Sequence, residues 1–178
     1  MAKRLGIGMV GSGFNAKFHL LGFLGVRDAD VLGVWSPNAK NAAATAGAAK
    51  RIGVGDAKPY PSISAMVEDP AIDAIWLSGP NHARVENVEE MVSALERGKG
   101  ELKGVACEKP LARNVQEAKR VVELVNKVRL PHGYLENQLF SPQVEAGRTL
   151  LWAPGAELTG RPYLARAGQQ HSGPHAPR

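Results

Sequence analysis

The stretch that decides the fold lies near the start of the chain, where residues 5–16 read Leu-Gly-Ile-Gly-Met-Val-Gly-Ser-Gly-Phe-Asn-Ala. An apolar run leads into a turn of the pattern G-x-G-x-x-A, formed by Gly11, Gly13 and Ala16. Gly11 permits a tight turn after a strand, Gly13 lets backbone approach a bound group, and Ala16 keeps the next helix near the sheet. The pattern predicts a β-turn-α unit whose helix N-terminus points at the pyrophosphate of a dinucleotide. The alternative is that these glycines serve only the turn.

Bulk composition restricts the class of protein. The chain has 178 residues, of which 44% are hydrophobic and 22% charged, enough for one globular α/β core. No apolar stretch approaches the roughly 18 residues that span a bilayer, and the N-terminal segment is too short and glycine-interrupted for a signal peptide. We therefore expect a cytoplasmic protein with no membrane partner. Cys107 is the only cysteine, so no internal disulfide exists, and its apolar neighbours favour a buried inert thiol over a nucleophile.

The charge balance points to an anionic ligand. The formal net charge is +5 and the sequence pI is about 9.5. A phosphate-rich cofactor would satisfy this balance as well as nucleic acid would. Basic residues are scattered rather than clustered, and aromatic residues make up only 6% of the chain. We therefore predict no nucleic-acid partner, and we assign no metal ligands.

The rest of the chain alternates between strand and helix patterns, which predicts an α/β fold with a doubly wound parallel sheet of the Rossmann type. Predicted strands cover residues 5–10, 31–35, 71–77, 104–107 and 132–136, with a short extended piece at Tyr60. Predicted helices cover residues 15–26, 38–49 and 141–152, together with one that Gly98 closes and one that Asn114 opens.

Local signals place several helix boundaries. Pro37 fits the first turn of the second helix, Ser62 begins a short helical turn, and Asn114 with Glu117 resembles a capping box. Two helices carry one apolar face each. The residues expected to face inward are Val85, Val88, Val92 and Leu95 before Gly98, and Ala118, Val121, Val122 and Val125 after Asn114.

The composition changes near the C-terminus, where glycine and proline alternate and only residues 163–167 resemble a strand. We therefore predict a dinucleotide-binding domain over residues 1–153 and a tail over residues 154–178. The tail is too short to form a domain by itself.

The end of the second predicted strand bears on the choice of cofactor. An NAD-preferring site usually has Asp or Glu there, whose carboxylate holds the ribose hydroxyls. Ser36 takes that place here, and Lys40 lies close by in the sequence. A missing carboxylate beside a cation would better tolerate a 2′-phosphate, which favours NADP slightly over NAD. The alternative is that Ser36 only caps the following helix.

Two further groups follow the fourth and fifth predicted strands, where ligands bind in such sheets. Pro80, Asn81 and His82 are candidate cofactor contacts, although capping of the next helix would also explain Asn81 or His82.

Glu108 and Lys109 follow the fifth predicted strand. A lysine held near an apolar crevice can exchange a proton with a substrate hydroxyl, and Glu108 could bind the cofactor or hold the lysine. The alternative is a solvated charge pair in a loop.

These elements together resemble the Gfo/Idh/MocA oxidoreductases, the family named for glucose–fructose oxidoreductase and inositol dehydrogenase. The resemblance rests on the G-x-G-x-x-A turn, on Pro80-Asn81-x-x-Arg84 and on Glu108-Lys109-Pro110-Leu111, of which the E-K-P element is the most specific. It extends through residues 134–138, which include Asn137, and through residues 171–175.

The resemblance implies hydride transfer between NAD(P) and a sugar, polyol or related hydroxy or carbonyl compound. It implies that Lys109 polarises or deprotonates the reacting hydroxyl, and it assigns Phe14, Asn15, Asn137 and also Lys109 to the cofactor. It also implies a second α/β domain that shapes the substrate pocket and usually mediates oligomerisation, which makes a homo-oligomer an option. That domain is expected to be missing here apart from its first segment.

Two functional hypotheses follow. The chain is an NAD(P)-dependent oxidoreductase represented by its cofactor half, or it is a non-catalytic nucleotide-binding fragment or sensor. A scaffold without any ligand is disfavoured because it has no need of Gly11, Gly13 and Lys109 together. Hydride transfer requires oriented reactants and excluded water. We therefore expect the chain alone to bind cofactor weakly and to turn over little.

Overall fold

A computed structural model describes residues 4–152 of the chain, which divide into two compact units after Leu135. The strands of the first unit are Leu5–Val10 (β1), Ala29–Trp35 (β2), Lys58–Pro59 (β3), Ala74–Leu77 (β4), Gly104–Glu108 (β5) and His132–Leu135 (β6). Its helices are Phe14–Gly22 (α1), Ala39–Arg51 (α2), Ile63–Val67 (α3), Arg84–Glu96 (α4) and Val115–Lys127 (α5). The strand predicted over residues 163–167 lies outside the described residues.

The strands form one parallel sheet in the order β3-β2-β1-β4-β5-β6. The chain first winds outward from β1 to β3 and then returns to place β4 on the other side of β1. This is the predicted doubly wound arrangement. Its switch point, between β1 and β4, is where such sheets leave a crevice beyond the carboxyl ends of the strands.

Helices cover both faces of the sheet, as parallel strands require. α1 and α2 pack on one face through small and apolar residues, and α3, α4 and α5 pack on the other. The alanine-rich helix α2 buries Ala42, Ala46 and Ala49, whose small side chains let it approach the sheet closely. Both faces of the sheet are therefore closely packed.

The first helix is shorter than predicted. It ends at Gly22 and continues as a 3-10 turn over Phe23–Gly25, whereas the prediction ran unbroken to residue 26. Glycine has a low helix propensity, and Gly22 and Gly25 bracket the change. The apolar residues after Gly22 correctly indicated a buried segment, since Phe23 is buried. This segment forms the 3-10 turn and not a continuation of α1.

Polar side chains decide where three other helices begin. Asn38 caps α2 by accepting a hydrogen bond from the Asn41 N–H at 3.2 Å, so Pro37 lies before the helix and not in its first turn. Ser62 caps α3 and Asn114 caps α5, both as predicted. The predicted capping box at Asn114 is incomplete, because Glu117 accepts from the Arg113 N–H instead.

The strand boundaries shift by a few residues. β4 begins at Ala74 rather than at residue 71, because a hydrogen-bonded turn at Asp69 holds Ala71 and Ile72 outside the ladder. β5 extends one residue further than predicted, to Glu108, and β6 ends one residue earlier, at Leu135.

The inward faces of the long helices are largely as predicted. α4 buries Val88 and Val92, and Gly98 ends the segment with a positive φ of 66°. On α5 the prediction of Val122 as an inward residue was wrong, because Val122 is exposed and Leu124 is buried instead. A helix of 3.6 residues per turn places the two side chains on different faces.

The second unit begins at Glu136. Its described part holds a 3-10 turn, Asn137–Phe140, and a helix, Pro142–Trp152 (α6). The hydroxyl of Ser141 accepts a hydrogen bond from the Val144 N–H at 3.3 Å, so this residue precedes α6 rather than opening it. The domain boundary at residue 153 stays a prediction.

Within residues 4–152, we find no helix with the length and apolarity that a membrane crossing needs.

The close packing of β1 against the loop before β4 gives a testable prediction. A Cβ on Gly6 would overlap the carbonyl oxygen of Ala71, and the Gly6 N–H also donates to the buried Asp73 carboxylate at 2.8 Å. We expect Gly6→Ala to lower the free energy of unfolding by about 1–3 kcal/mol, measured by urea denaturation. Gly133→Ala, in β6 of the same sheet with open space at its Cβ, is the matched control and should change it by less than about 0.5 kcal/mol. Equal effects of the two changes would contradict this account.

Candidate cofactor-binding site

The turn after β1 requires glycine at position 11. Gly11 has a φ of 124°, and a Cβ there would lie 2.8 Å from the Gly79 nitrogen and 2.9 Å from the Ser78 hydroxyl. Its own N–H donates to the carbonyl of Trp35 at 2.8 Å. A side chain would therefore separate the ends of β1 and β4, which agrees with the turn function predicted for this residue.

Gly13 has a different reason to be glycine. It is the N-cap of α1 in ordinary extended backbone, and no heavy atom lies within 4 Å of the position its Cβ would take. It has no side chain to accept from the first N–H groups of the helix, and the first turn of α1 carries no acidic residue. Space, donors and the positive end of the helix dipole therefore coincide here, which is the environment that a phosphate needs.

A cleft of about 460 Å³ lies beyond the carboxyl ends of β1, β2 and β4. This volume falls within the range of small-molecule sites. The predicted site residues that line it are Gly11, Gly13, Phe14, Asn15, Ser36, Pro80 and His82. Lining residues that the sequence did not single out for binding include Ser12, Ser78 and Asn87. The cleft therefore brings together these seven predicted contacts from three separate loops.

Ser36 lies in the cleft at the end of β2. Its hydroxyl is 2.8 Å from the hydroxyl of Ser12, so the two loops are joined by a hydrogen bond. The helix-capping interpretation of Ser36 was wrong, because Asn38 is the N-cap of α2. Lys40 lies in the first turn of α2 and does not line the cleft. No carboxylate lines the described cleft where an NAD-preferring site would have one.

The connection from β4 to α4 is a 3-10 turn, Asn81–Ala83, preceded by Pro80. Neither Asn81 nor His82 caps α4, whose N-cap is Ala83 with no side-chain hydrogen bond. The capping interpretation of these two residues is therefore wrong. His82 lines the cleft and Asn81 does not.

A buried arginine holds the shape of this connection. Arg84 is only 1% exposed, and its guanidinium donates to the carbonyl of Leu77 at 2.5 Å and to that of Gly79 at 3.0 Å. The two carbonyls lie at the end of β4 and in the turn that packs on Gly11. Sequence reasoning included Arg84 in the P-N-x-x-R pattern, but nothing in its neighbours indicated that a charged residue would be buried.

At the end of β5, Glu108 is buried, with 6% of its surface exposed. Its Oε1 lies 2.6 Å from Nε2 of His19 on α1, a partner that the sequence did not indicate. Lys109 is exposed and makes no ion pair or hydrogen bond with any residue that the structure describes. The interpretation of Glu108 and Lys109 as a solvated charge pair is therefore wrong. Glu108 also makes no direct contact that would hold the lysine side chain. Neither residue lines the cleft described above, and Asn137 belongs to the second unit.

Cys107 is buried on the opposite side of β5 from Glu108. Burial raises the pKa of its thiol, although the nearby Arg84 acts in the other direction. A thiol that resists ionisation is a poor nucleophile. This agrees with the expectation that Cys107 is a buried, unreactive thiol.

Three comparisons with known proteins agree with this geometry. A family model described as "Oxidoreductase family, NAD-binding Rossmann fold", that of Gfo/Idh/MocA, matches residues 5–131. Inositol 2-dehydrogenase 3 of Saccharopolyspora erythraea is 33% identical over 120 residues, which are 66% of this chain and 31% of that protein. The chain therefore spans about a third of the length of this relative.

Two solved structures share the fold. Myo-inositol dehydrogenase from Lactobacillus casei, in complex with NAD(H) and myo-inositol, aligns with a TM-score of 0.66 and 23% identity, over 85% of this chain and 43% of that one. Biliverdin reductase from Synechocystis, in complex with biliverdin and NADP+, aligns with a TM-score of 0.63 and 23% identity, over 82% and 42%. Because the family model matches well over half of the chain, the chain belongs to the Gfo/Idh/MocA oxidoreductase family and carries its NAD(P)-binding Rossmann fold.

Proposed function

We propose that this chain is the cofactor-binding part of an NAD(P)-dependent oxidoreductase that transfers hydride between nicotinamide and a sugar, polyol or related hydroxy or carbonyl compound. The observation that carries the proposal is the uncapped N-terminus of α1, which opens into the cleft at the switch point of the sheet. Family membership supports the same reaction class.

The cleft offers a separate place for each part of the cofactor. Gly11, Gly13, Phe14 and Asn15 would hold the pyrophosphate at the start of α1, and Ser36 would meet the adenosine ribose at the end of β2. Pro80, Asn81 and His82 follow β4 and would contact the nicotinamide half. The net charge of +5 favours the approach of a polyanionic ligand. The bound nicotinamide supplies the hydride donor or acceptor.

Lys109 is the proposed catalytic residue. It follows β5, the strand next to β4, and its amine is exposed and has no partner among the described residues. An amine in this state is available to a substrate hydroxyl, whose proton it can hold or release as the hydride moves. Asn137 is proposed as a further cofactor contact on the resemblance alone.

We further propose a preference for NADP over NAD. Ser36 leaves the end of β2 without a carboxylate, so a 2′-phosphate would meet no negative charge there. Lys40, in the first turn of α2, adds a cation near the same strand end. A cytoplasmic location and a homo-oligomer are expectations of the same proposal.

The phosphate site is tested by filling the space at Gly13. We expect Gly13→Val to weaken NADPH binding at least tenfold, a loss of about 1.4 kcal/mol or more, because the new side chain would occupy the position of the phosphates. The measurement is a titration of NADPH fluorescence, with urea denaturation to confirm folding. Gly25→Val, just beyond α1 and also with open space at its Cβ, is the matched control and should leave the Kd unchanged. Unchanged binding in Gly13→Val would overturn the placement of the phosphates.

The cofactor preference is tested at Ser36. We expect Ser36→Asp to raise the ratio of the NADPH Kd to the NADH Kd by about tenfold or more, because a carboxylate would repel the 2′-phosphate and accept hydrogen bonds from the ribose hydroxyls. Ser36→Thr keeps the hydroxyl and should keep the original ratio. If Ser36→Asp leaves the ratio unchanged, the ribose does not lie at the end of β2.

The reaction is tested through Lys109. Any polyol-dependent reduction of NADP+ by the chain should fall about 100-fold or more in Lys109→Met, because the proton acceptor is lost, while the NADPH Kd should stay within about twofold. Turnover that survives the change would exclude Lys109 as the catalytic residue. Cofactor binding without turnover of any polyol in the unaltered chain would favour a nucleotide-binding fragment or sensor.

A further inference from the structure

We infer that His19 is a positioning residue for Lys109, acting through its hydrogen bond to Glu108. This bond joins α1, which presents the phosphate site, to the end of β5, which carries the amine. The inference rests on the proposed function, because it assigns to His19 a purpose in the reaction that Lys109 performs.

The first support is the burial of Glu108. A carboxyl group taken out of water is costly unless hydrogen bonds replace its hydration. Nε2 of His19 lies 2.6 Å from Oε1 of Glu108, and only 8% of the Glu108 side chain is exposed. The bond crosses from the helix to the strand over 89 positions of sequence. The position of the Glu108 side chain is therefore set by α1.

The second support is the way the imidazole is held. The His19 ring lies 4.9 Å from the ring of Trp76 on β4, which also packs edge-on against Phe23 at 5.4 Å. β4 lies between β1 and β5, and Trp76 pairs in register with Ala106 of β5. The imidazole is therefore fixed both by the indole and by the carboxyl group, and it is not free to turn away from Glu108.

The third support is that Lys109 has no anchor of its own among the described residues. Its position depends on the backbone at either side. Glu108 is the last residue of β5, paired with Leu135, and Pro110 follows with its restricted φ. Glu108 is thus the nearest side chain that ties this part of the backbone to the body of the protein.

These contacts connect the two ends of the proposed reaction. α1 begins at the phosphate site and, within its nine residues, also carries the side chain that holds Glu108. A cofactor that orders the start of α1 would therefore be linked by one hydrogen bond to the strand end that bears the amine. Removing the bond should displace Lys109 without disturbing the phosphate site.

The experiment follows the Lys109 amine by NMR in the full chain. Lysines are reductively methylated with a ¹³C label, and the Lys109 signal is assigned from its loss in Lys109→Arg. Two amide variants are compared. The side-chain nitrogen of His19→Gln lies where Nε2 does and can donate to Glu108, whereas His19→Asn is too short to reach it.

We expect the Lys109 signal of His19→Asn to move away from its position in the unaltered chain, and that of His19→Gln to stay near that position. The NADPH Kd of both variants should remain within about threefold of the unaltered chain. Phe18→Leu, which changes a ring beside His19 and leaves the bond intact, controls for loss of packing and should not move the signal. Urea denaturation confirms that each variant is folded.

The inference is overturned if the Lys109 signal is the same in His19→Asn and His19→Gln, or if Phe18→Leu moves it as far. If His19→Asn does not fold, the Lys109 signal of His19→Gln is compared with that of the unaltered chain. A displaced signal in His19→Gln would also overturn the inference. The signals are compared without cofactor as well as with it. Failure of NADPH to bind would therefore count against the proposed function, whereas the cofactor-free comparison still decides the function of His19.

Discussion

The structure depends on the close approach of β1 and β4 at their carboxyl ends. Gly11 packs there against the backbone of Ser78 and Gly79, and no side chain fits between them. The N–H of Ser78 donates to the carbonyl of Val10 at 2.9 Å, and that of Gly11 donates to Trp35. Gly11 therefore lies where the ends of all three strands on which the cleft rests come together. A wider separation of β1 and β4 would change the surface of the cleft that Gly11, Ser78 and Gly79 form.

A second constraint acts on the opposite side of the same turn. Buried Arg84 donates to the carbonyl of Leu77, the last residue of β4, and to that of Gly79, which lies beyond the strand. Burial of a guanidinium is costly unless hydrogen bonds replace its hydration, so the two bonds from this arginine favour the turn conformation that offers both carbonyls. The cleft is consequently shaped by backbone geometry and by a buried cation.

The proposed phosphate site and the proposed catalytic lysine follow different strands, β1 and β5. They are connected through α1, whose His19 contacts Glu108. The proposed phosphate site is local, since it consists of one turn and one helix end. The position of Lys109 is not local, because the residue before it is held by a histidine far away in sequence. The proposed binding turn therefore depends on neighbouring residues, whereas the proposed catalytic lysine depends on contacts between distant parts of the chain.

The sequence by itself determined the alternation of strands and helices, the doubly wound class and the glycine-rich turn after β1. These follow from local periodicity and from glycine at positions 11 and 13, whose physics acts within a few residues. Caps at Ser62 and Asn114 were predictable for the same reason. Only the tertiary structure decided that Arg84 and Glu108 are buried and that His19 is a partner. Burial of a charge depends on what the rest of the chain brings to it, and no spacing along the sequence encodes that.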